Sequence, residues 1–97
     1  MSEYPSKESL EKIKNWDMTK DNPFELADFI CAVWNENCGV AELAGKRVKT
    51  LKLWTGGWSG NEDIIRAIME SDFWTLYWER SIRGGFYVFK NIKEVKE

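Results

Sequence analysis

The spacing of apolar residues divides the chain into helical stretches followed by strand-like stretches. Near the N-terminus, Ser6 follows Pro5 and is suited to cap a helix in which Leu10 and Ile13 form a thin apolar stripe among charged side chains. A stripe this narrow covers only a small part of the helix circumference. The pattern therefore predicts a peripheral helix over residues 6–16.

A second helix is predicted from Asn22-Pro23-Phe24-Glu25, which supplies an N-cap, a proline at the first helical position and an early glutamate. The apolar residues of this stretch cover more than half of a helical circumference up to Glu36. They are Phe24, Leu26, Ala27, Phe29, Ile30, Val33 and Trp34. A helix with so wide an apolar surface is expected to pack against a sheet.

A third helix is predicted from Ser59-Gly60-Asn61-Glu62, which matches the S-x-x-E capping box. In that motif the serine hydroxyl accepts a hydrogen bond from the N–H of the fourth residue, so the helix is expected to begin at Gly60. Arg66 lies where it can pair with Glu62 or Glu70. One face is apolar and is expected to enter the core, through Ile64, Ile65, Ile68 and Met69.

Alternating apolar and polar residues indicate strands on both sides of this third helix. Residues 40–43 and 47–54 fit either a hairpin or one helical turn leading into a single strand, and we favour the hairpin. Residues 73–80 are apolar on both faces, which predicts a central strand. Arg83-Gly84-Gly85 then predicts a tight turn into an antiparallel strand over residues 86–92.

These elements predict a single α+β domain over residues 1–97, with two N-terminal helices and then a ββαββ-like unit whose one mixed sheet of three to four strands is covered by helices. Its core would span residues 22–92, and residues 93–97 would form a frayed, charged tail. A crossover through the third helix would make the strands before and after it parallel. The loop before that helix and the turn at Arg83 should then lie at the same edge of the sheet.

The glycine-rich loop from Thr55 to Ser59 lies between a strand and a helix, where exposed N–H groups and the helix dipole favour an anion. Its residues do not match the phosphate-binding motifs. Thr55 stands where a dinucleotide fingerprint needs glycine, and Asn61-Glu62 stand where a P-loop needs Lys-Ser/Thr. Glu62 and Asp63 also place negative charge in the first helical turn, which would repel phosphate. The sequence favours a tight turn followed by a capped helix.

Composition excludes several classes of function. A net charge of −2 is too small to indicate a polyanion-binding protein. The chain has no histidine and only two cysteines, Cys31 and Cys38, so we expect free thiols and neither a metal nor another cofactor. No apolar run is long enough to span a membrane, which predicts a cytoplasmic protein. Six tryptophans exceed what a core of this size needs, so part of the aromatic surface is expected to serve recognition.

Three separated signatures stand out in the C-terminal half: Thr55-Gly56-Gly57-Trp58-Ser59-Gly60-Asn61-Glu62, then Phe73-Trp74 with Trp78, then Arg83-Gly84-Gly85 with Tyr87 and Phe89. Together they resemble small uncharacterised proteins encoded in bacteriophage and prophage genomes. The resemblance implies a phage gene product that works in the cytoplasm of a bacterial host, and it implies no particular activity. Phe86 follows the double glycine where such proteins commonly have histidine or another polar residue, which argues against a catalytic imidazole there.

The first class of function is a non-enzymatic protein that binds a host protein or a second copy of itself, and inhibition of a host defence system would be one form of it. Aromatic and arginine side chains dominate the energetics of protein interfaces. The candidate binding residues are Thr55, Gly56, Gly57, Trp58, Ser59, Asn61, Glu62, Arg83 and Tyr87. Trp58 would contact the partner at the loop tip, or else it would fold back as a lid over the core.

Two other classes are weaker. In a single-stranded nucleic-acid-binding module, aromatic side chains stack on bases and basic residues follow the backbone. Lys46, Arg47, Lys49 and Lys52 form such a basic run, although a solvated strand face explains it more simply. An enzyme would have to rely on Glu62 as its acid–base group, and the capping role already accounts for that residue, so the sequence predicts no enzyme.

Overall fold

Two N-terminal helices precede a four-stranded sheet that is interrupted by a second pair of helices. The computed structural model describes residues 5–17, 22–37 and 39–93. In chain order the elements are α1 (Lys7–Lys14), α2 (Pro23–Val33), β1 (Val40–Gly45), β2 (Val48–Trp54), α3 (Ser59–Met69), α4 (Asp72–Tyr77), β3 (Trp78–Ile82) and β4 (Phe86–Lys93). The predicted α+β class and the order of its first elements, including the β1–β2 hairpin, are confirmed.

The capping residues predicted for α1 and α2 occupy the N-caps of those helices. The Ser6 hydroxyl accepts a hydrogen bond from the Ser9 N–H at 3.0 Å, and the Asn22 side chain accepts one from the Phe24 N–H at 2.9 Å. Helix α2 ends at Val33, three residues before the predicted end. It ends there because Trp34 turns to an extended backbone and its indole N–H donates to the Trp54 carbonyl at 3.1 Å.

The sheet is entirely antiparallel, with strand order β1-β2-β4-β3, so the expectation of a mixed sheet is wrong. The β3–β4 hairpin places β4 beside β2 and leaves β3 at the edge. Strand β4 is suited to an inner position because Val88 and Phe89 are fully buried on opposite faces, whereas all five residues of β3 are exposed. Strands β2 and β3 run in the same direction, but they are not neighbours.

The predicted central strand over residues 73–80 is also wrong, because its first half is helix α4 and its second half is the edge strand β3. The aromatic residues of this stretch fit a four-residue spacing as well as a two-residue alternation. Phe73 and Tyr77 meet on one helical face with ring centroids 5.0 Å apart, and Trp74 stacks on Trp78 at 5.3 Å. The helix is favoured because it sends the Phe73 ring into the core, where the ring is fully buried.

The core lies between one face of the sheet and the helices. The sheet contributes Leu51, Leu53, Phe89 and Ile92, and the helices contribute Ile13, Leu26, Ala27, Ile30, Ile64, Ile65, Ala67, Ile68 and Phe73. Ile13 of α1 is fully buried, and Lys14 of the same helix pairs with Glu70 of α3 at 3.2 Å. Helix α1 therefore inserts one large apolar side chain into the common core.

Two β-bulges interrupt the ladders. On β3 the register shifts between Trp78 and Arg80, so Glu79 is the extra residue opposite β4. On β4 the shift lies opposite Lys49–Leu51, where Asn91 has a φ of 62°. The predicted frayed tail falls partly on Lys93, which ends β4, and otherwise on residues 94–97, which lie outside the described part of the chain, as does Cys38.

Burial of Ile13 predicts that α1 contributes to stability. We expect Ile13→Ala to lower the free energy of unfolding by about 2–5 kcal/mol, because the substitution removes buried methyl groups and leaves a cavity. The measurement is urea denaturation followed by circular dichroism. Ile82→Ala is the matched control, because Ile82 is 47% exposed and the same truncation should cost under about 1.5 kcal/mol. Equal losses for the two variants would contradict the role given to α1.

Candidate functional site at one edge of the sheet

The glycine loop and the β3–β4 turn meet at one edge of the sheet. Because β2 and β3 run in the same direction, residues 55–58 and 83–85 leave the sheet on the same side. The Thr55 N–H donates to the Gly85 carbonyl at 3.0 Å. The expected shared edge is therefore present, although β4 lies between the two strands. We call residues 55–58 and 83–85 the rim.

Thr55 organises the glycine loop although only 1% of its surface is exposed. Its hydroxyl accepts a hydrogen bond from the Gly57 N–H at 3.2 Å, and its carbonyl accepts one from the Trp58 N–H at 3.3 Å. Gly56 and Gly57 both have positive φ, at 66° and 76°, as the central residues of a type I′ turn require. The double glycine is thus explained by backbone geometry.

Gly85 allows the second half of the rim to approach the first. A β-carbon on Gly85 would lie 2.2 Å from the Thr55 hydroxyl oxygen, a distance no real side chain tolerates. Residue 85 must therefore lack a side chain if the hairpin is to pack against the loop. Gly85 is needed for this approach, and both Gly84 and Gly85 have the positive φ of the turn, at 104° and 89°.

Asn61 fastens the rim to the rest of the protein. Its side chain is fully buried, and its oxygen accepts a hydrogen bond from the Asn35 N–H at 3.0 Å. Its amide nitrogen donates to the carbonyls of Asn35 and Thr55, each at 3.2 Å. The amide therefore joins the residues after α2, the end of β2 and the first turn of α3.

Helix α3 begins one residue earlier than the capping box predicts, with Trp58 at the N-cap and Ser59 in the first turn. The Glu62 N–H, which the motif assigns to the Ser59 hydroxyl, donates to the Trp58 carbonyl at 3.1 Å. Ser59 is exposed at the surface of the rim.

Trp58 is half-buried and folds back over the start of α3. Its ring lies so close to Gly60 that a β-carbon there would be 2.3 Å from two ring atoms. The indole therefore covers the first helical turn and keeps part of its surface in solvent. Arg83 is exposed at the opposite side of the rim.

A cleft lies between α3 and β4, and its lining includes Glu62 and Tyr87, which follow the two halves of the rim in the chain. It has a volume of about 290 Å³ and is lined by Glu62, Ile65, Arg66, Met69 and Tyr87. Arg66 pairs with Asp63 at 3.1 Å, whereas the sequence suggested Glu62 or Glu70 as its partner. The structure thus brings together two of the predicted site residues, Glu62 and Tyr87, that are 25 positions apart in the chain.

Exposed aromatic side chains continue from this cleft. Trp74 contacts Tyr87 edge-on, with ring centroids 6.3 Å apart, and stacks on Trp78, which is 44% exposed. Met69 is 45% exposed and Leu76 is 58% exposed. Sequence reasoning missed this patch, because residues 73–80 were assigned to a buried strand. A four-residue aromatic spacing at Phe73, Trp74, Tyr77 and Trp78 was the available signal.

The predicted basic run does not form one surface. Lys46 and Arg47 occupy the turn between β1 and β2, and Lys49 lies over the Phe24 ring on the helical side, with its Nζ 4.5 Å from the ring centroid. Lys52 pairs with Val88 across the ladder and lies on the opposite face of the sheet. A run that is continuous in sequence is therefore divided among three surfaces.

Among residues 5–17, 22–37 and 39–93, no three histidine, cysteine, aspartate or glutamate side chains are placed to hold a metal ion together. Burial, reinforced by the negative charges of Asp28 and Glu36, raises the pKa of the Cys31 thiol to about 11. This thiol stays protonated at neutral pH and is a poor nucleophile. Within the described part of the chain, no helix is both long enough and apolar enough to cross a membrane.

Comparisons of the chain with protein-family models, curated proteins and solved structures give no match.

The Asn61 hydrogen bonds predict a large loss of stability on truncation. We expect Asn61→Ala to lower the free energy of unfolding by about 2–4 kcal/mol, because buried backbone groups of Asn35 and Thr55 lose their partners. Chemical denaturation gives the value. Asn37→Ala, at an exposed position of the neighbouring loop, should change stability by less than about 0.5 kcal/mol.

An Asn61→Asp variant separates hydrogen bonding from packing. A carboxylate has the same shape as the amide but would face the carbonyl oxygens of Asn35 and Thr55, so the folded state should favour its protonated form. The folded-state pKa of the introduced aspartic acid is then raised above its unfolded-state value. The stability that its protonated form contributes is therefore lost as pH rises through the folded-state pKa. The stability deficit relative to the parent should shrink between about pH 7 and pH 4. A deficit that is constant with pH would refute the assigned donors.

The raised pKa of Cys31 predicts slow alkylation. In a Cys38→Ser variant, the remaining thiol should react with iodoacetamide about 100-fold more slowly at pH 8 than an exposed cysteine, because the shift from 9.0 to about 11 lowers the thiolate fraction. Mass spectrometry of timed samples gives the rate. Addition of a denaturant should restore ordinary reactivity. A native rate equal to the denatured rate would contradict the burial assigned to Cys31.

Proposed function

We propose that this protein acts by binding another protein through the rim and the adjoining cleft. The observation that carries the proposal is the direct Thr55–Gly85 contact, which joins two distant loops into one rigid edge beside exposed aromatic side chains. Rigid aromatic anchors lose little conformational entropy on binding and dominate interface energetics.

The chemistry of this surface supports a protein partner. Met69 lines the cleft and is exposed, and the exposed Trp78 is connected to the cleft residue Tyr87 through Trp74, while Glu62 and Arg66 add charge to the lining. Methionine, tryptophan, tyrosine and arginine are enriched in protein interfaces relative to the remaining surface. An apolar centre with a charged border is the arrangement such interfaces share.

The same geometry gives less support to a small-molecule enzyme. The cleft of about 290 Å³ is at the lower limit for a ligand pocket. The buried polar side chains that hold the rim, Thr55 and Asn61, form their hydrogen bonds inside the protein. Their contribution to binding is to hold the rim in place.

The resemblance to phage-encoded proteins supports a partner from a bacterial host, and a component of a host defence system is the form of this proposal that we favour. The test is affinity capture with the immobilised protein from a nuclease-treated bacterial lysate, followed by calorimetry with the purified captured protein. We expect Trp58→Ala combined with Arg83→Ala to weaken binding about 30-fold or more, as truncation of interface anchors does.

Lys7→Ala combined with Glu8→Ala is the control, because both residues are exposed on α1 and the pair leaves net charge unchanged. This variant should bind as the parent does. Circular dichroism must first show that all variants are folded. Equal affinity of the parent and the rim variant for the captured protein would refute the proposed surface.

A further inference from the structure

The face of the sheet that turns away from the helices has a chemistry of its own. No described helix contributes to it, and three of its apolar residues stay half exposed: Val40 at 50%, Val48 at 45% and Ile82 at 47%. We propose that this open face binds single-stranded nucleic acid without sequence specificity. This inference concerns a different surface from the rim and does not depend on a protein partner.

The cross-strand register arranges the open face in rows. The row nearest the rim is apolar and contains one residue from each strand, Val40, Trp54, Phe86 and Ile82. At its centre the Trp54 and Phe86 rings stack with centroids 4.3 Å apart. Neighbouring strands lie about 4.8 Å apart, so this row is roughly 14 Å long.

The next row carries the charges. It consists of Glu42, Lys52, Val88 and Arg80, again with one residue from each strand. Two residues along a strand correspond to about 7 Å, which separates the cations from the aromatic row. Lys90 and Lys93 extend the positive charge farther along β4, where both are exposed. Bases can therefore lie on the aromatic row while phosphates face the cations.

The charge of the whole sheet is opposite to that of the rest of the chain. Residues 40–54 and 78–93, which hold the strands and their hairpin turns, contain eight basic and two acidic residues, a net charge of +6. The other six basic and fourteen acidic residues give −8. The overall charge of −2 therefore conceals a basic layer. Of its charged residues, Lys52, Arg80, Lys93 and Glu42 lie on the open face by register, which leaves that face net positive and favours a polyanion there.

The stacked rings select a single strand over a duplex. Aromatic side chains stack on bases only where the bases are unpaired, and a basic surface beside such rings follows the backbone. Self-association through this face is disfavoured, because it would bring the cations of one copy against those of another. The occupant that satisfies both the charge and the rings is single-stranded DNA or RNA.

The experiment is fluorescence polarisation with labelled twelve-nucleotide oligo(dU) and oligo(U), which differ only in the sugar, titrated with the full chain at several NaCl concentrations. For three or four phosphate contacts, the logarithm of the association constant should fall with that of the salt concentration with a slope of about −2 to −3. Binding of either oligonucleotide supports the proposal, and the comparison shows which sugar is preferred. Absence of binding at about 50 mM salt overturns it.

Two sets of variants test the surface itself. A sheet triple variant should make the slope of binding against salt less negative by about 2; it combines Lys52→Gln, Arg80→Gln and Lys90→Gln. A control variant with the same change of charge on α1 should leave that slope unchanged; it combines Lys7→Gln, Lys12→Gln and Lys14→Gln. Trp54→Leu should weaken oligonucleotide binding about fivefold or more, and Trp54→Phe, which keeps an aromatic ring, should weaken it less. Parent-like binding by the sheet triple variant would overturn the assignment.

Other occupants give distinct results. Anionic phospholipid vesicles and poly-glutamate test whether the face binds any polyanion. If they bind as tightly as the oligonucleotides and Trp54→Leu does not weaken oligonucleotide binding, the face is a general cationic surface and the proposal is overturned. A concentration-dependent dimer in analytical ultracentrifugation that Trp54→Leu abolishes would assign the face to a second copy of the chain and overturn it too.

Discussion

One buried amide holds the edge of this protein together. The Asn61 side chain satisfies an N–H and a carbonyl of Asn35 and the carbonyl of Thr55, so the ends of α2 and β2 and the start of α3 are bound to one another. Trp34 adds a second bond from the same region to the Trp54 carbonyl. The glycine loop follows Thr55 directly, and the β3–β4 turn is hydrogen-bonded to Thr55 through the Gly85 carbonyl, so this junction holds both in position. In a protein interior such a bond is costly to leave unmade, so loss of the Asn61 amide would destabilise all three segments that it joins.

This junction also separates two surfaces of opposite character. The described helices carry seven acidic and four basic side chains, whereas the strands and their turns carry a net +6. The rim lies between them, and the aromatic row of the open face begins directly beside it, at Trp54 and Phe86. Both proposed contacts are thus held by the same scaffold. A change that loosens Asn61 would affect them together.

The sequence predicts those features that depend on neighbouring residues. Ser6 and Asn22 are recognisable caps, the wide apolar face of α2 indicates packing against a sheet, and Gly56-Gly57 indicates a tight turn. Contacts between residues that are far apart in the chain cannot be predicted from local sequence in this way. Residues 73–80 satisfy helical and strand periodicity equally, and only the burial of Phe73 decides between them. The position of β4 beside β2 and the Asn61–Asn35 hydrogen bonds depend on contacts across 26 residues or more, and the β2–β4 pairing joins the two hairpins into the rows of the open face.

The β-bulge on β3 has a consequence for the behaviour of the protein at high concentration. Strand β3 lies at the end of the sheet, so its outer N–H and C=O groups are a template onto which another extended chain could pair, and growth in that direction is open-ended. The extra residue, Glu79, interrupts the regular spacing of those groups and increases the local twist, while the charged Arg80 follows directly. The ladder therefore stops within one molecule. The bulge thus makes β3 a poorer template for a further strand than a regular edge strand would be.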